Sequence, residues 1–250
     1  MLSKSNIKQI QSLKHKKFRQ KYKIFLVEGH KSVDSLLSQK NFDVDQIYAT
    51  QSWSDNHGKP AFEHLTTIVD LSILKKLSEF KSPPEVIAIV QLPEQKMNVS
   101  SASKAIYLDN VQDPGNVGTI IRIADWYGLD TVIRSGGSAD FYHPKVIQST
   151  MGSFANLNLI TVSFADLLAT EPRSPIVIAS MDGQSINEVE GMEEFILVMG
   201  SEGQGLSQSV KEQADISITI PGSDHRIAES LNVSVATGII CQGLTAKFLK

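Results

Sequence analysis

The chain has 250 residues, of which 41% are apolar and 20% are charged, and its formal net charge is −3. These are the proportions of a soluble globular protein with enough apolar residues for a sizeable core. The single cysteine, Cys241, excludes an internal disulfide and favours a reducing cytoplasm. No apolar run approaches the roughly 18–20 residues of a membrane-spanning helix and no signal-peptide core is present, so we expect no membrane partner.

The first 27 residues are strongly basic. They carry eight basic side chains and no acidic one, which leaves 16 basic and 27 acidic residues elsewhere, a balance of −11. Such asymmetry can mark an arm that contacts RNA phosphates. It also suits a solvated helix whose buried side carries Ile7, Ile10, Leu13 and Phe18. A mitochondrial presequence is a third reading, although such segments favour Arg and Ser over Lys.

Residues 24–92 alternate short apolar runs with amphipathic stretches. We predict strands over 24–27, 47–49, 67–69 and 86–92. We predict helices over 28–39 and after Asp70, where Leu71, Leu74 and Leu77 recur at helical spacing before Pro83 and Pro84. The result is a small α/β domain over 1–92, followed by a polar, Ser-rich linker over 93–104.

Residues 105–250 form the second predicted domain, in which strands and helices alternate. The apolar runs are continuous, as in strands of a parallel sheet that is covered on both faces. The predicted strands are 105–109, 131–134, 157–160, 176–180, 195–199 and 216–220. A long helix is predicted over 231–250. The fold class is therefore α/β.

A polar loop, 109–122, follows the first strand of this domain, and ligands of open α/β sheets bind beyond the carboxyl ends of strands. The next helix is expected to start near Val117, which places Asn116 at its N-terminal end and Arg122 about two turns further on. Asn is also a common helix cap and Arg a common helix-surface residue. These two residues alone do not decide between a structural and a functional role.

Two further loops follow later strands. The loop 200–206 contains three glycines and Glu202, but it lacks the spacing of the dinucleotide fingerprint and the lysine of a phosphate loop. The loop 221–232 leads into the last helix, with Ser230 placed to cap that helix and Asn232 in its first turn. Each signal is weak alone.

Together and in this order, the three loops resemble the SpoU (TrmH) branch of the SPOUT RNA methyltransferases. The three family motifs correspond to LDNVQDPGNVGTIIRIADWYG (108–128), ILVMGSEGQGLS (196–207) and ITIPGSDHRIAESLNVSVATGI (218–239). The segment from FLVEGHKSVDSLL (25–37) to SPPEVIAIV (82–90) is similar to the small RNA-substrate-binding domain that often precedes this catalytic domain.

The resemblance implies a deep trefoil knot at the C-terminus, a homodimer formed through the C-terminal domain, and S-adenosylmethionine bound in the knot. Knots are nearly absent from other proteins. The implied cofactor-binding residues are Met199, Gly200, Ile220 and Leu231. The implied catalytic residues are Asn116, Arg122, Glu202, Ser230 and Asn232.

The implied reaction is an in-line displacement that needs no metal and no covalent intermediate. The enzyme has to bring a ribose 2′-hydroxyl to roughly 3 Å from the methyl carbon and make it nucleophilic. Arg122 can hold an RNA phosphate bidentately, but a guanidinium is a poor base near pH 7. We therefore expect that phosphate, or water, to accept the proton, while Glu202, Ser230 and Asn232 fix Arg122 or the ribose.

Ribosomal RNA is the expected substrate, because the two-domain layout resembles ribosomal RNA ribose methyltransferases. A transfer RNA ribose methyltransferase and a catalytically silent RNA-binding protein on the same scaffold are the alternatives. A nicotinamide-dependent oxidoreductase is disfavoured, since the dinucleotide fingerprint is missing.

The sequence departs from the family pattern in its third motif, which is about two residues longer and contains His225 and Arg226. An exposed loop histidine is the expectation for His225. The loop 135–144 also carries Phe141 and Tyr142, which could stack on an unpaired base or pack the knot; packing is favoured.

Overall fold

The computed structural model describes residues 2–39, 41–80, 82–94, 103–170, 174–201 and 203–249. The helices are α1 (Lys4–Ser12), α2 (Lys16–Tyr22), α3 (His30–Gln39), α4 (Gln51–His57), α5 (Leu71–Leu77), α6 (Pro114–Trp126), α7 (Pro144–Thr150), α8 (Phe164–Leu168), α9 (Gln208–Lys211) and α10 (Val233–Thr245). The strands are β1 (Ile24–Glu28), β2 (Val44–Ala49), β3 (Thr66–Ile68), β4 (Val86–Gln91), β5 (Lys104–Asp109), β6 (Thr131–Arg134), β7 (Asn158–Thr161), β8 (Ile176–Ser185), β9 (Phe195–Gly200) and β10 (Ile216–Thr219). Short 3-10 helices cover Pro60–Leu65, Ser153–Asn156, Ile186–Glu188 and Ala246–Phe248.

The described residues divide into two compact units. Unit 1 comprises the residues up to Glu94 together with 140–155, and unit 2 comprises 103–139 and 156–249. The segment 140–155, which the sequence analysis assigned to the second domain, therefore packs within unit 1. Most of the predicted linker, residues 95–102, lies outside the described residues, and the domain boundary near residue 92 stays a prediction.

Unit 1 is built on a four-stranded mixed sheet with the order β1-β4-β2-β3. Strand β4 is antiparallel to both of its neighbours, and β3 is parallel to β2. Because alternate residues of a strand face opposite sides, Leu26 packs with α1 and α5 while Phe25 packs with rings on the other face. All four strands predicted here are present, whereas α4, which Thr50 caps, was missed.

The basic segment forms α1 and α2 and is amphipathic. Ile10 and Leu13 are buried, and Ile7 and Phe18 are half-buried, as predicted. Arg19 differs from the other basic residues of this segment, which were expected to face solvent or RNA, because its side chain is buried. Its Nη1 donates to the carbonyls of Leu13 (2.6 Å) and Lys14 (3.1 Å), and its Nη2 to Asp140 Oδ2 (2.6 Å).

Phe141 and Tyr142 take the packing role that the sequence analysis favoured, but at a different place. Phe141 is buried, and the ring of Tyr142 lies 4.7 Å from that of Phe25. Both aromatic residues belong to unit 1. They therefore help to close the core of unit 1, and the expectation that they pack the knot is wrong.

Unit 2 contains a six-stranded parallel sheet with the order β10-β8-β9-β5-β6-β7. The predicted α/β class is confirmed, and each of the six predicted strands is present. Strand β8 runs five residues further than predicted. Its polar second half pairs with β10 after a register shift, so that Ile218 faces Gln184. Local composition does not reveal a strand that is held by such a distant partner.

The last helix is shorter than predicted. It covers Val233–Thr245, and Asn232 is its N-cap, with Oδ1 accepting from the backbone N–H groups of Ser234 (2.9 Å) and Val235 (3.4 Å). The prediction that Ser230 caps this helix is wrong. Asn forms an N-cap as readily as Ser, so residue type alone does not distinguish Asn232 from Ser230 as the cap.

Candidate active site

The loops that follow β5 and β9 lie at the same edge of the unit 2 sheet. These two strands are parallel neighbours, and Asp109 faces Gly200 at their carboxyl ends. A direct hydrogen-bond link joins the loops: Asp109 Oδ2 accepts from the backbone N–H of Ser207 at 2.8 Å. The carboxylate is buried, and its other oxygen accepts from Asn110 Nδ2 at 2.9 Å. Asp109 was not among the predicted site residues, although an acidic residue at the end of an apolar strand is a signal in the sequence.

A second link joins the first turn of α6 to the N-cap of α10. Asn232 Nδ2 donates to Asn116 Oδ1 at 3.1 Å, although the two residues are 116 positions apart. Asn232 Oδ1 accepts from the Ser234 hydroxyl at 2.6 Å, and that hydroxyl lies 3.5 Å from Asn116 Oδ1. The first and third motif loops therefore meet side chain to side chain.

The position of Asn116 depends on the start of α6. The helix begins at Pro114, three residues earlier than predicted, and Asp113 caps it by accepting from the Asn116 N–H at 2.9 Å. Proline suits the first turn of a helix because no backbone donor is lost there. Asn116 is therefore already helical, and its side chain meets that of Asn232.

Arg122 is exposed on α6, and no hydrogen bond joins its side chain to Asn116 or Asn232. Six residues at 100° each place it about 120° around the helix from Asn116. No hydrogen bond or ion pair joins its guanidinium to another of the residues that the structure describes. The charge is thus presented to solvent, available to an anion from outside the chain.

The loop after β9 turns tightly back on itself. Ser201 and Gly205 exchange backbone hydrogen bonds, and a Cβ added at Gly200 would overlap the backbone of Gly205. Only glycine fits at position 200, because a side chain there would push the turn open. Met199 beside it is buried. The predicted catalytic residue Glu202 lies outside the described residues.

The loop after β10 is open to solvent. Ile220 is half-buried, every residue over 221–231 is exposed, and Leu231 has 49% of its surface accessible. Ser230 lies in this exposed stretch, two residues before the cap of α10. Nothing that the structure describes joins its side chain to Asn116 or Asn232.

His225 is an exposed loop residue, as expected. Its backbone N–H donates to Ser223 Oγ at 3.3 Å, and Arg226 Nη1 folds back onto the carbonyl of Ser223 at 3.0 Å. The added length of the third motif thus forms a local turn at the rim of the site.

Two serines after β6 hold the first motif loop in place. Ser138 Oγ accepts from the Val111 N–H at 3.0 Å and donates to the carbonyl of Leu108 at 2.9 Å. Ser135 Oγ accepts from the N–H of Asn110, which has a left-handed backbone with φ of 59°. These serines were not among the predicted site residues, and their function is to fix the loop.

A groove of about 520 Å³ runs between α6 and α10. It is lined by Thr119, Ile123, Tyr127, Ser234, Val235, Gly238, Ile239 and Gln242. Val235 is 53% and Ile239 39% exposed, and Trp126, at the end of α6, is 81% exposed. None of the helices in the described part of the chain is long and apolar enough to cross a bilayer.

Comparison with known proteins identifies the family. A model described as the SpoU rRNA Methylase family matches residues 103–242, and one described as the MRM3-like substrate binding domain matches residues 4–88. The chain is 30% identical over 237 residues to the 23S rRNA (guanosine(2553)-2'-O)-methyltransferase RlmP of Bacillus subtilis (strain 168), covering 94% of this chain and 93% of that protein.

Solved structures give the same result. A TrmH-family protein from Porphyromonas gingivalis superposes with a TM-score of 0.88 at 34% identity, covering 99% of both chains. An AdoMet-bound rRNA methyltransferase from Sinorhizobium meliloti superposes with a TM-score of 0.87 at 25% identity, covering 100% of this chain and 98% of that one. Because the first family model spans more than half of the sequence, this chain belongs to the SpoU rRNA methylase family.

Proposed function

We propose that this chain transfers a methyl group from S-adenosylmethionine to a ribose 2′-hydroxyl of ribosomal RNA. The observation that carries the proposal is the hydrogen bond between Asn116 and Asn232, because it joins two of the family's motif loops in one place. The relatives support the substrate, since the Bacillus subtilis protein, which aligns over nearly its whole length, is named as a 23S ribosomal RNA 2′-O-methyltransferase.

S-adenosylmethionine is the cofactor, and the residues at the ends of β9 and β10 fit it. The residues over 221–231 are exposed; the half-buried Ile220 precedes them, and Leu231, 49% exposed, is the last of them. Backbone groups of an exposed loop beside apolar side chains such as Ile220 and Leu231 would suit an adenosyl group, which has an apolar face and a hydrogen-bonding edge. We assign cofactor binding to Met199, Gly200, Ile220 and Leu231.

The proposed chemistry divides between the cofactor and the polar residues of the chain. When bound, S-adenosylmethionine supplies a methyl group on a sulfonium, which is already an excellent leaving group. Arg122 binds an RNA phosphate next to the target and fixes the ribose, since its guanidinium stays charged and presents a fork of donors. That phosphate or a water accepts the hydroxyl proton. Asn116 and Asn232, with Glu202 and Ser230 from the other loops, orient the ribose.

We also propose that unit 2 contains the trefoil knot of its family. The last helix, α10, packs against Ile186–Glu188, a segment that precedes it by nearly 50 residues. The approach is close, because a Cβ added at Gly243 would lie 2.5 Å from Ile186 Cγ1. If the chain threads through a loop, its last helix has to pack closely against an earlier segment, as α10 does here.

A second copy of this chain is the proposed partner in the active enzyme. The groove between α6 and α10 exposes Val235 and Ile239, and Trp126 is exposed at the end of α6. Exposed apolar patches mark interaction sites, and the family forms homodimers through this domain. We place the enzyme in the cytoplasm, where a free thiol such as that of Cys241 stays reduced.

The proposal is tested with purified protein, unmodified 23S ribosomal RNA transcribed in vitro, and S-adenosylmethionine that carries a labelled methyl group. After digestion to nucleosides, the label is expected on a 2′-O-methylated nucleoside. Label on a base would contradict the assigned acceptor. Label that appears only when transfer RNA is supplied would favour the transfer RNA alternative. RNA binding without any transfer would identify a catalytically silent protein.

A further inference from the structure

The segment 4–23, which comprises α1, α2 and the residues next to α2, presents seven lysines to solvent within unit 1. The exposed residues are Lys4, Lys8, Lys14, Lys16, Lys17, Lys21 and Lys23. Lys14 is paired with Glu79 at 3.1 Å. The other six have no carboxylate partner among the residues that the structure describes. No ion pair with a described residue therefore neutralises these six charges.

The buried Arg19 fixes α1 and α2, which carry most of these lysines, relative to each other. Its guanidinium holds the C-terminal end of α1 through the carbonyls of Leu13 and Lys14, and it reaches Asp140 from α2. The turn between the two helices is thus tied down by a side chain that is 1% exposed. Cations on an ordered surface bind a polyanion at a lower entropic cost than cations on a disordered tail.

Two aromatic rings on α2 contact the ammonium groups of two lysines. Phe18 and Tyr22 stack with their centroids 6.1 Å apart at an interplanar angle of 12°. Lys17 Nζ lies 5.0 Å from the Phe18 centroid, and Lys21 Nζ lies 5.3 Å from that of Tyr22. A ring face attracts an ammonium without neutralising it. Both lysines therefore keep their full charge for an external anion.

The charge of the whole chain points to a polyanion as the partner. Residues 1–27 hold eight of the 24 basic side chains and none of the 27 acidic ones. A nucleic acid is repelled by the negative balance elsewhere and attracted by this cluster.

We propose that the lysine face, defined as Lys4, Lys8, Lys16, Lys17, Lys21 and Lys23, binds the phosphate backbone of the RNA substrate. The inference rests on the proposed function and adds the surface that receives the RNA. The contacts are to phosphates, so they supply affinity and orientation but no base specificity.

The test measures the salt dependence of RNA binding by the full-length protein, with an unmodified 23S ribosomal RNA transcript as the probe. Replacing Lys17→Gln and Lys21→Gln together is expected to reduce the slope of log Kd against log[KCl] by about 0.7 to 0.9 for each lost contact. Affinity at 0.1 M salt is then expected to fall roughly ten- to fifty-fold. The KM for RNA should rise, while kcat and S-adenosylmethionine binding stay within twofold.

Two further variants make the result specific. Lys17→Arg with Lys21→Arg keeps both charges and should retain the wild-type slope. Lys211→Gln with Lys247→Gln removes the same charge from unit 2 and should change affinity by less than twofold. An unchanged slope in the first double variant, or an equal loss in the unit 2 control, overturns the lysine face.

The outcomes also separate this inference from the proposed function. A wild-type protein that methylates RNA while the lysine variants bind it normally contradicts the inference alone. A wild-type protein that transfers no methyl group, yet loses RNA binding in the lysine variants, contradicts the proposed function alone. Tighter binding to vesicles of 30% phosphatidylserine in phosphatidylcholine than to RNA would assign the surface to a membrane and overturn the inference.

Discussion

Arg122 is the residue on which the proposed chemistry depends most. It is exposed on α6 and has no hydrogen bond or ion pair to another described residue, so its charge is available to the substrate. We expect Arg122→Ala to lower the rate of methyl transfer about 10³-fold, which is the scale of losing a charged donor in an active site. Single-turnover transfer of labelled methyl to RNA measures this rate.

The control for Arg122 is cofactor binding, followed by calorimetry. Affinity for S-adenosylmethionine should be nearly unchanged in Arg122→Ala, because the proposed cofactor residues lie in other loops. Arg122→Lys keeps the charge but loses the planar fork, and only partial recovery is expected. Wild-type turnover by the alanine variant would show that our role for Arg122 is wrong.

Glu28 is a buried carboxyl group at the end of β1. It is 5% exposed, and neither oxygen has a hydrogen bond of normal geometry to a described residue. Burial raises its pKa to about 7, and the nearby Glu79 carboxylate adds to the effect, while the Ser78 hydroxyl and the Glu79 backbone oppose it. Folding therefore favours the protonated form of Glu28.

The raised pKa makes the stability of unit 1 fall as pH increases. The stabilising contribution is complete below the ordinary pKa of 4.5 and is lost as pH rises through about 7. The full effect is on the order of 3 kcal/mol. We expect Glu28→Gln, which mimics the protonated form, to raise the free energy of unfolding at pH 8 relative to wild type.

Urea unfolding between pH 5 and 8 measures the effect of Glu28→Gln, with the buried Trp53 as a fluorescent probe in unit 1. The difference from wild type should shrink towards pH 5, where both side chains are neutral in the folded state. A difference that stays constant across this range would mean that Glu28 does not change its protonation on folding.

At the scale of elements, Asn232 links α10 to α6, and its side chain has two separable functions. Asn232 Oδ1 caps α10, while its Nδ2 donates to Asn116. We expect Asn232→Asp to keep the cap and the stability, because a carboxylate accepts the same backbone N–H groups. It cannot donate to Asn116 Oδ1, so the Asn116 amide has to turn, and methyl transfer should fall at least ten-fold.

The matched variant Asn232→Ala removes both functions and should also cost about 1 kcal/mol of stability through the lost cap. Thermal unfolding and single-turnover transfer, measured on both variants, separate the two effects. If Asn232→Asp transfers methyl groups at the wild-type rate, the hydrogen bond to Asn116 has no part in catalysis.

At the scale of the whole molecule, the proposed dimer gives a direct prediction. Val235 is 53% exposed beside the groove between α6 and α10. We expect Val235→Glu to convert a dimer into a monomer, because a buried, unpaired carboxylate at an interface is strongly unfavourable. Sedimentation of wild type and variant measures the mass. Val235→Thr, which keeps the shape without a charge, is the control. A wild-type protein that sediments as a monomer contradicts the dimer.

The division of the chain into units also belongs to this scale. Residues 140–155 lie within the stretch that matches the methylase model, yet they pack in unit 1. Arg19 holds the start of this segment through Asp140. Sequence patterns place an element with its chain neighbours, so they give no sign that this segment packs with residues more than 100 positions earlier.

The sequence by itself determined the α/β class, the six strands of unit 2 and the three motif loops. Strand and helix periodicity is local, and the order of the loops is specific to one family. Only the tertiary structure decided which groups meet. Asp109 reaches Ser207 across 98 positions and Asn116 reaches Asn232 across 116. Such contacts depend on which strands pair and on where each helix starts, and both are settled by packing the whole sheet.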